Sequence, residues 1–345
     1  MNYGGTVTST PLDWTLAQNT AARLARPGPK VPREQRQELV KQLRETAARS
    51  VDIVAETSLL PPANEAEVKV LDRSSWGRSA VSGVEAMIGP AMPSAGNASK
   101  LAALEVGGLF AVLSSRVLGQ YDAWAGEAAG RLSLVAPNIL ATEQAIKADP
   151  TAFRTWVCMH EQTHAAQFHT APWLHKYMAG KSRSLVASIM ARQGARDRLA
   201  TVLHGLVEWI RSEEAPTVLE LAATEDELEV FDEITAVMSI LEGHADVIMD
   251  DVGDDVVPGV ERIRRAFNAR REGSGVPRTR WDRILRKLLG LDEKIAQYRE
   301  GADFVRAVEA QVGRTGFNAV WENYGNMPTL IELRNPQQWV DRVHG

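Results

Sequence analysis

The stretch MHEQTHAAQF, residues 159–168, decides the reading of this chain. It places His160, Glu161 and His164 in the spacing H-E-x-x-H. On a helix, positions i and i+4 share a face, so both imidazoles can reach one metal ion. Glu161 follows the first ligand and points beside the metal, where a carboxylate can take a proton from a bound water. The flanking residues favour that helix: Pro150 suits its first turn, with Asp149 or Thr151 as cap. Phe153, Trp156, Val157, His160, His164, Gln167 and Phe168 then recur at helical spacing on one face. A single histidine in such an apolar stripe reads as a core residue. Two at i and i+4, with Glu161 between them, read as a metal site.

Helical phase points to the third ligand. Residues 228–250, LEVFDEITAVMSILEGHADVIMD, read as one long helix with Phe231, Ile234, Met238, Leu241, Ala245 and Met249 on one stripe. Glu242 falls on the same stripe, Asp246 lies one turn later at its edge, and Glu233 and His244 point to the opposite side. A carboxylate inside an apolar face is costly unless it is paired or metal-bound. Glu242 is therefore the expected third ligand. Asp246 is the expected acceptor for the free ring N–H of a ligand histidine, which would fix that ring's tautomer. The bland alternative is a buried acid paired with an arginine. A third histidine six residues after His164 is excluded, because that position is Thr170. His169 is one residue short, and His175 lies beyond Pro172. Two His, one Glu and water make the donor set of a catalytic zinc rather than a closed structural one.

The combination H-E-x-x-H … E-x-x-x-D resembles the glutamate-zincin class of metallopeptidases. The likeness extends to LGQYD (118–122), LVAPNI (134–139), HEQTHAAQF (160–168), LEGHADVIMD (241–250), LLGLDEKIAQYREGADFV (288–305) and NMPTLIELRNPQQWVDRV (326–343). On these segments the chain resembles a family of zincin-like metallopeptidases also associated with deazaflavin-cofactor biosynthesis. The resemblance implies Zn2+ carried by His160, His164 and Glu242, with Glu161 as base. One departure is GNMPT at 325–329, where a more proline-rich ENLPT is expected; it touches a loop.

The composition bounds the function. A chain of 345 residues can bury a full core in one or two domains, and a formal net charge of −5 argues against a nucleic-acid partner. The one cysteine, Cys158, allows no intrachain disulfide and reads as a small buried filler. MNYGGTVTSTPLDW lacks the basic start and apolar core of a signal peptide, so a cytoplasmic protein is expected. The most apolar stretch, 101–118, contains Glu105, Ser114, Ser115 and Arg116, and reads as a protein helix rather than a membrane span.

Along the chain, ARPGPKVP closes residues 1–30. Helices are expected over 33–57, 66–88, 98–118, 183–211, 225–250, 257–271, 280–298 and 301–313. RLSLVAP (131–137) is the best strand candidate, and the resemblance implies a substrate-pairing edge strand there; an ordinary core strand is the alternative. The fold class is thus mainly α with minimal β, a zincin-like metallopeptidase fold with additional helices. Residues 1–95 form a helical segment packing on a main domain of 96–345, the two able to be one continuous domain. DDVGDD (250–255) reads as solvated acids, since its spacing does not fit a calcium loop. Residues 261–287, with Arg262, Arg264, Arg265, Arg270, Arg271, Arg278 and Arg280, read as a basic face pairing with that acidic run. An anion or nucleic-acid patch and a substrate-carboxylate clamp are the alternatives.

These readings lead to a zinc-dependent hydrolase acting on peptide or protein substrates. Tyr324, Tyr177 and His244 are the candidates for a second oxyanion donor, and Tyr324 is favoured because its Gly-flanked loop could approach the cleft. The rivals are an inactive zincin scaffold that binds a peptide or protein, and an Arg-rich nucleic-acid binder. An intact Glu161 speaks against the scaffold, which has no use for a base.

Overall fold

EVKVL, within the helix expected for 66–88, alternates and carries two β-branched valines, and in the computed structural model it is a strand. The structure describes residues 12–92, 100–125, 130–191, 224–272 and 296–345. Strand β1 (Glu67–Leu71) pairs in parallel with β3 (Arg131–Val135), and β2 (Gly119–Asp122) pairs antiparallel on the other side of β3. The order β1-β3-β2 makes β3 the central strand. This corrects one expectation: RLSLV is a strand, but its backbone is engaged on both sides and Leu132, Leu134 and Val135 are fully buried. The edge next to the H-E-x-x-H helix belongs to β2, in the segment LGQYD.

Around the sheet the chain is helical. Helices α1 (Trp14–Leu24), α2 (Arg33–Ser58) and α3 (Arg73–Ile88) precede α4 (Lys100–Leu113). After β3 come α5 (Ala136–Ile146), α6 (Pro150–Thr170) and α7 (Leu174–Ala191). Helices α8 (Glu225–Asp251), α9 (Val260–Glu272), α10 (Ala296–Phe317), α11 (Leu330–Arg334) and α12 (Pro336–His344) complete the described chain. The helix expected at 183–211 is described only to Ala191. Most of the one expected at 280–298 lies outside the described residues.

One core holds the site in place. Leu39, Leu43, Ala47 and Val54 of α2 join Leu132 and Leu134 of β3, Phe153, Val157 and Met159 of α6, and Ile240 and Leu241 of α8. Each large aliphatic or aromatic side chain fully buried there contributes about 1.5–3 kcal/mol. Both site helices begin on strong caps. Asp149 accepts from Ala152 N at 2.8 Å, with Pro150 at the first turn of α6. Thr224 and Glu227 form a reciprocal capping box on α8. Helices α8 and α10 cross at glycines: a Cβ on Gly243 would stand 2.3 Å from Gly301 C, and one on Gly301 would stand 2.1 Å from Ser239 O. Among the described residues no helix is long and apolar enough to cross a membrane.

The acidic run after α8 is engaged by arginines. Asp250 pairs with Arg264 of α9 and Arg306 of α10, and Asp251 pairs with Arg314 of α10. Asp254 accepts from Gly259 N at 3.0 Å. Arg264 thus meets the acidic run as the basic-face reading expects. The side chains of Arg270 and Arg271, and all of Arg278 and Arg280, lie outside the described residues.

Candidate metal centre

Helix α6 brings His160 and His164 onto one face, with their Nε2 atoms 3.3 Å apart and their rings edge to face. Helix α8 brings Glu242 to the same point: Oε2 lies 3.7 Å from His160 Nε2 and Oε1 3.6 Å from His164 Nε2. The three donor atoms lie within 4.8 Å of one another, as a group that could hold a metal ion. Ligands at zinc–nitrogen and zinc–oxygen bond lengths around a tetrahedral centre stand about 3.3–3.4 Å apart. The observed separations fit the edges of such a tetrahedron. The side chains are 20, 13 and 32% exposed, which leaves one side open to solvent and a further coordination position accessible.

Glu161 is buried, close enough to His164 and Glu242 to feel the charge of both. Its carboxylate accepts the backbone N–H of Tyr121 in β2, and Gly119 of the same strand lies directly against it. Its pKa is pushed up to about 7, chiefly by burial; His164 opposes the shift, Glu242 adds to it, and the Tyr121 N–H opposes it. A carboxyl poised near neutrality can both take and return a proton. In β2, Leu118 O accepts from Val135 N at 2.8 Å. By antiparallel alternation, the outward backbone groups are therefore those of Gly119 and Tyr121. Among the described residues, Glu161 thus sits against the outward side of β2.

Gln167, one helical turn beyond His164, is the residue sequence reasoning did not assign. It is fully buried, and its Oε1 accepts from His164 Nδ1 at 2.9 Å. Its Nε2 donates to Leu241 O at 2.9 Å and to His244 Nδ1 at 3.0 Å. The available signal was an amide lying within the apolar stripe of the metal helix. His244 also departs from expectation. The side of α8 that carries it is as buried as the opposite one, and the ring lies between Phe317 (stacked, 5.5 Å) and Trp321 (edge-on, 5.3 Å). Burial, with Arg314 and His164 nearby, lowers its pKa to about 3, so it is a neutral structural ring.

The remaining candidates divide. Glu233 pairs with Lys181 of α7, away from the cluster as phase predicts. Asp246 stands one turn past Glu242, half-buried. Tyr324 is 69% exposed and stacks on Tyr177 at 6.3 Å; Tyr177 in turn touches Trp173 and Lys181. His175 Nδ1 lies 2.9 Å from Pro172 O at the surface. Cys158 is buried, and burial raises its thiol far above the ordinary value, so it is inert filler.

No curated protein matches the chain. A crystal structure from Chloroflexus aurantiacus, of a protein designated only provisionally as a hydrolase and described as having a novel fold, superposes with a TM-score of 0.66. It is 29% identical, over 96% of this chain and 98% of that one. The sequence model of the zincin-like metallopeptidases matches residues 12–340. With that match spanning nearly all of it, the chain belongs to the zincin-like metallopeptidase family.

Proposed function

We propose that this protein is a zinc-dependent peptidase in which His160, His164 and Glu242 hold the metal and Glu161 is the general base. The observation that carries the reading is the convergence of the three donor atoms beside a buried carboxyl whose pKa is pushed up to about 7. Zinc bound there would supply Lewis acidity and lower the pKa of water towards neutrality. Glu161 takes the proton of the attacking water as its oxygen bonds to the peptide carbonyl carbon. It then returns that proton to the leaving nitrogen as the C–N bond breaks. The Tyr121 N–H holds the carboxylate in place for both transfers. An extended peptide would pair with the edge of β2 through the outward-facing backbone groups of Gly119 and the Tyr121 carbonyl, while the Tyr121 N–H stays on Glu161. Tyr324 is the proposed second donor to the oxyanion, and Asp246 the proposed acceptor for the free ring N–H of a ligand histidine.

Elemental analysis of protein prepared without chelator should give about one zinc per chain, and none in His160→Ala or His164→Ala. A peptide-library digestion supplies a substrate. Against it, Glu161→Gln should keep zinc and lose about 10²–10⁴ in rate. Zinc-free wild type sinks the metal assignment. A Glu161→Gln variant as fast as wild type sinks the mechanism alone.

A further inference from the structure

The amide of Gln167 makes three hydrogen bonds in a fully buried position, and their directions are not interchangeable. Leu241 O is a backbone carbonyl and can only accept. The Gln167 atom 2.9 Å from it must therefore be the NH₂ group. That fixes the amide: Oε1 is the atom facing His164 Nδ1 at 2.9 Å, and it too can only accept. His164 must then carry its proton on Nδ1. In the neutral ring its Nε2, directed at Glu242 and His160, is then left as a bare lone pair. The same NH₂ group donates to His244 Nδ1, which must likewise be unprotonated.

We propose that Gln167 is the positioning residue of the metal site. It sets His164 in the Nδ1–H tautomer before any metal arrives, and fixes the helix carrying the third ligand relative to the helix carrying the first two. Its anchors on α8 are Leu241 O and His244 Nδ1, the residue before Glu242 and the second residue after it. One side chain thereby couples the protonation of one ligand to the placement of another. A neutral amide in this position orients His164 without placing a negative charge against the ring. The inference deepens the zinc reading and shares its metal ligands, but its first test needs no metal.

The test is nitrogen-15 NMR of the histidine rings in the metal-free full-length protein at a fixed neutral pH, with His164 assigned by the signal lost in His164→Asn. Wild type should show His164 protonated on Nδ1. A wild-type ring protonated on Nε2 overturns the proposal with no variant needed. In Gln167→Met, which keeps the volume and removes the acceptor, the Nδ1–H preference should disappear. In Gln167→Glu, which keeps an acceptor for His164 and cannot donate to Leu241 O, the preference should survive. Zinc competition titrations should show Gln167→Met about 10–100-fold weaker than wild type. A folded Gln167→Met with unchanged tautomer and unchanged zinc affinity overturns the proposal. If wild-type His164 is protonated on Nδ1 and the protein takes up no zinc, the zinc reading falls while the tautomer assignment stands.

Discussion

Gly119 lies so close to Glu161 that a β-carbon on it would stand 2.5 Å from Glu161 Cγ and 2.7 Å from Oε1. The edge strand and the carboxyl of the metal helix are in contact without any side chain between them. Gly119→Ala should therefore push the Glu161 carboxyl out of place while leaving His160, His164 and Glu242 untouched. Zinc stoichiometry should stay at the wild-type value. Hydrolysis, once a substrate is in hand, should drop by at least about tenfold, and overpacking should cost about 1–3 kcal/mol of stability in denaturant titration. Unchanged activity in a folded Gly119→Ala protein would show that the carboxyl needs no such close support.

Glu242 and Glu233 lie on the same helix, nine positions apart, and meet different partners: the two histidines and Lys181. Glu242→Ala should lose most zinc affinity. Glu233→Ala removes a partly exposed ion pair, worth about 0–1 kcal/mol, and should bind zinc as wild type does. Equal zinc affinity in Glu242→Ala and wild type would move the third ligand elsewhere, with Asp246 next in line. Asp246→Asn should itself weaken zinc about 10–100-fold in competition titrations if it orients a ligand ring.

Two buried groups give the metal-free protein an unusual acid response. His244, lowered from 6.5 to about 3, binds its proton more readily in the unfolded chain, so below pH 6.5 it takes stability away as pH falls. Glu161, raised from 4.5 to about 7, holds its proton more tightly in the folded chain, so it adds stability as pH falls from 7 to 4.5. Between about pH 6.5 and 4.5 the two slopes, each about 1.4 kcal/mol per pH unit at full effect, oppose one another. His244→Gln keeps an acceptor for Gln167 and removes one slope. Relative to wild type it should gain stability steadily on acidification through this window, in chemical denaturation with chelator present. Parallel curves for the two proteins would mean that His244 is not held neutral in the fold.

The crossing of α8 and α10 leaves no room for a methyl group at Gly243 or Gly301. Either alanine variant should lower thermal stability by the equivalent of about 1–3 kcal/mol. Gly243→Ala, adjacent to Glu242, should also weaken zinc more than Gly301→Ala does. Calorimetry and competition titration together separate the two effects. A Gly301→Ala protein that melts with wild type would show that the helices can part at no cost.

The site was legible in the sequence wherever the information was periodic. His160, His164 and Glu161 follow from one spacing, and Glu242 from the phase of an apolar stripe, because helical geometry converts sequence separation directly into direction. The strands were harder to read. GQYD has only four residues, including a glycine and an aspartate, and is a strand through its pairing with β3. EVKVL is five residues joined by a single residue to a genuine helix, so the helical pattern absorbed it. Which strand formed the edge depended on order in the sheet, which no local pattern encodes. Gln167 stood in view on the right face, but its meaning lies in partners 74 and 77 residues away.

The candidate metal donors come from two helices separated in sequence by the whole of α7 and residues 192–223, so the unfolded chain does not hold them together. Occupancy of the site and integrity of the fold are for that reason one thermodynamic quantity seen from two sides. At a metal concentration a thousandfold above the dissociation constant, binding adds about 4 kcal/mol to folding, comparable to a large share of a domain's net stability. Chelation would then remove that increment of stability, and the free-metal level would set how easily the folded chain opens.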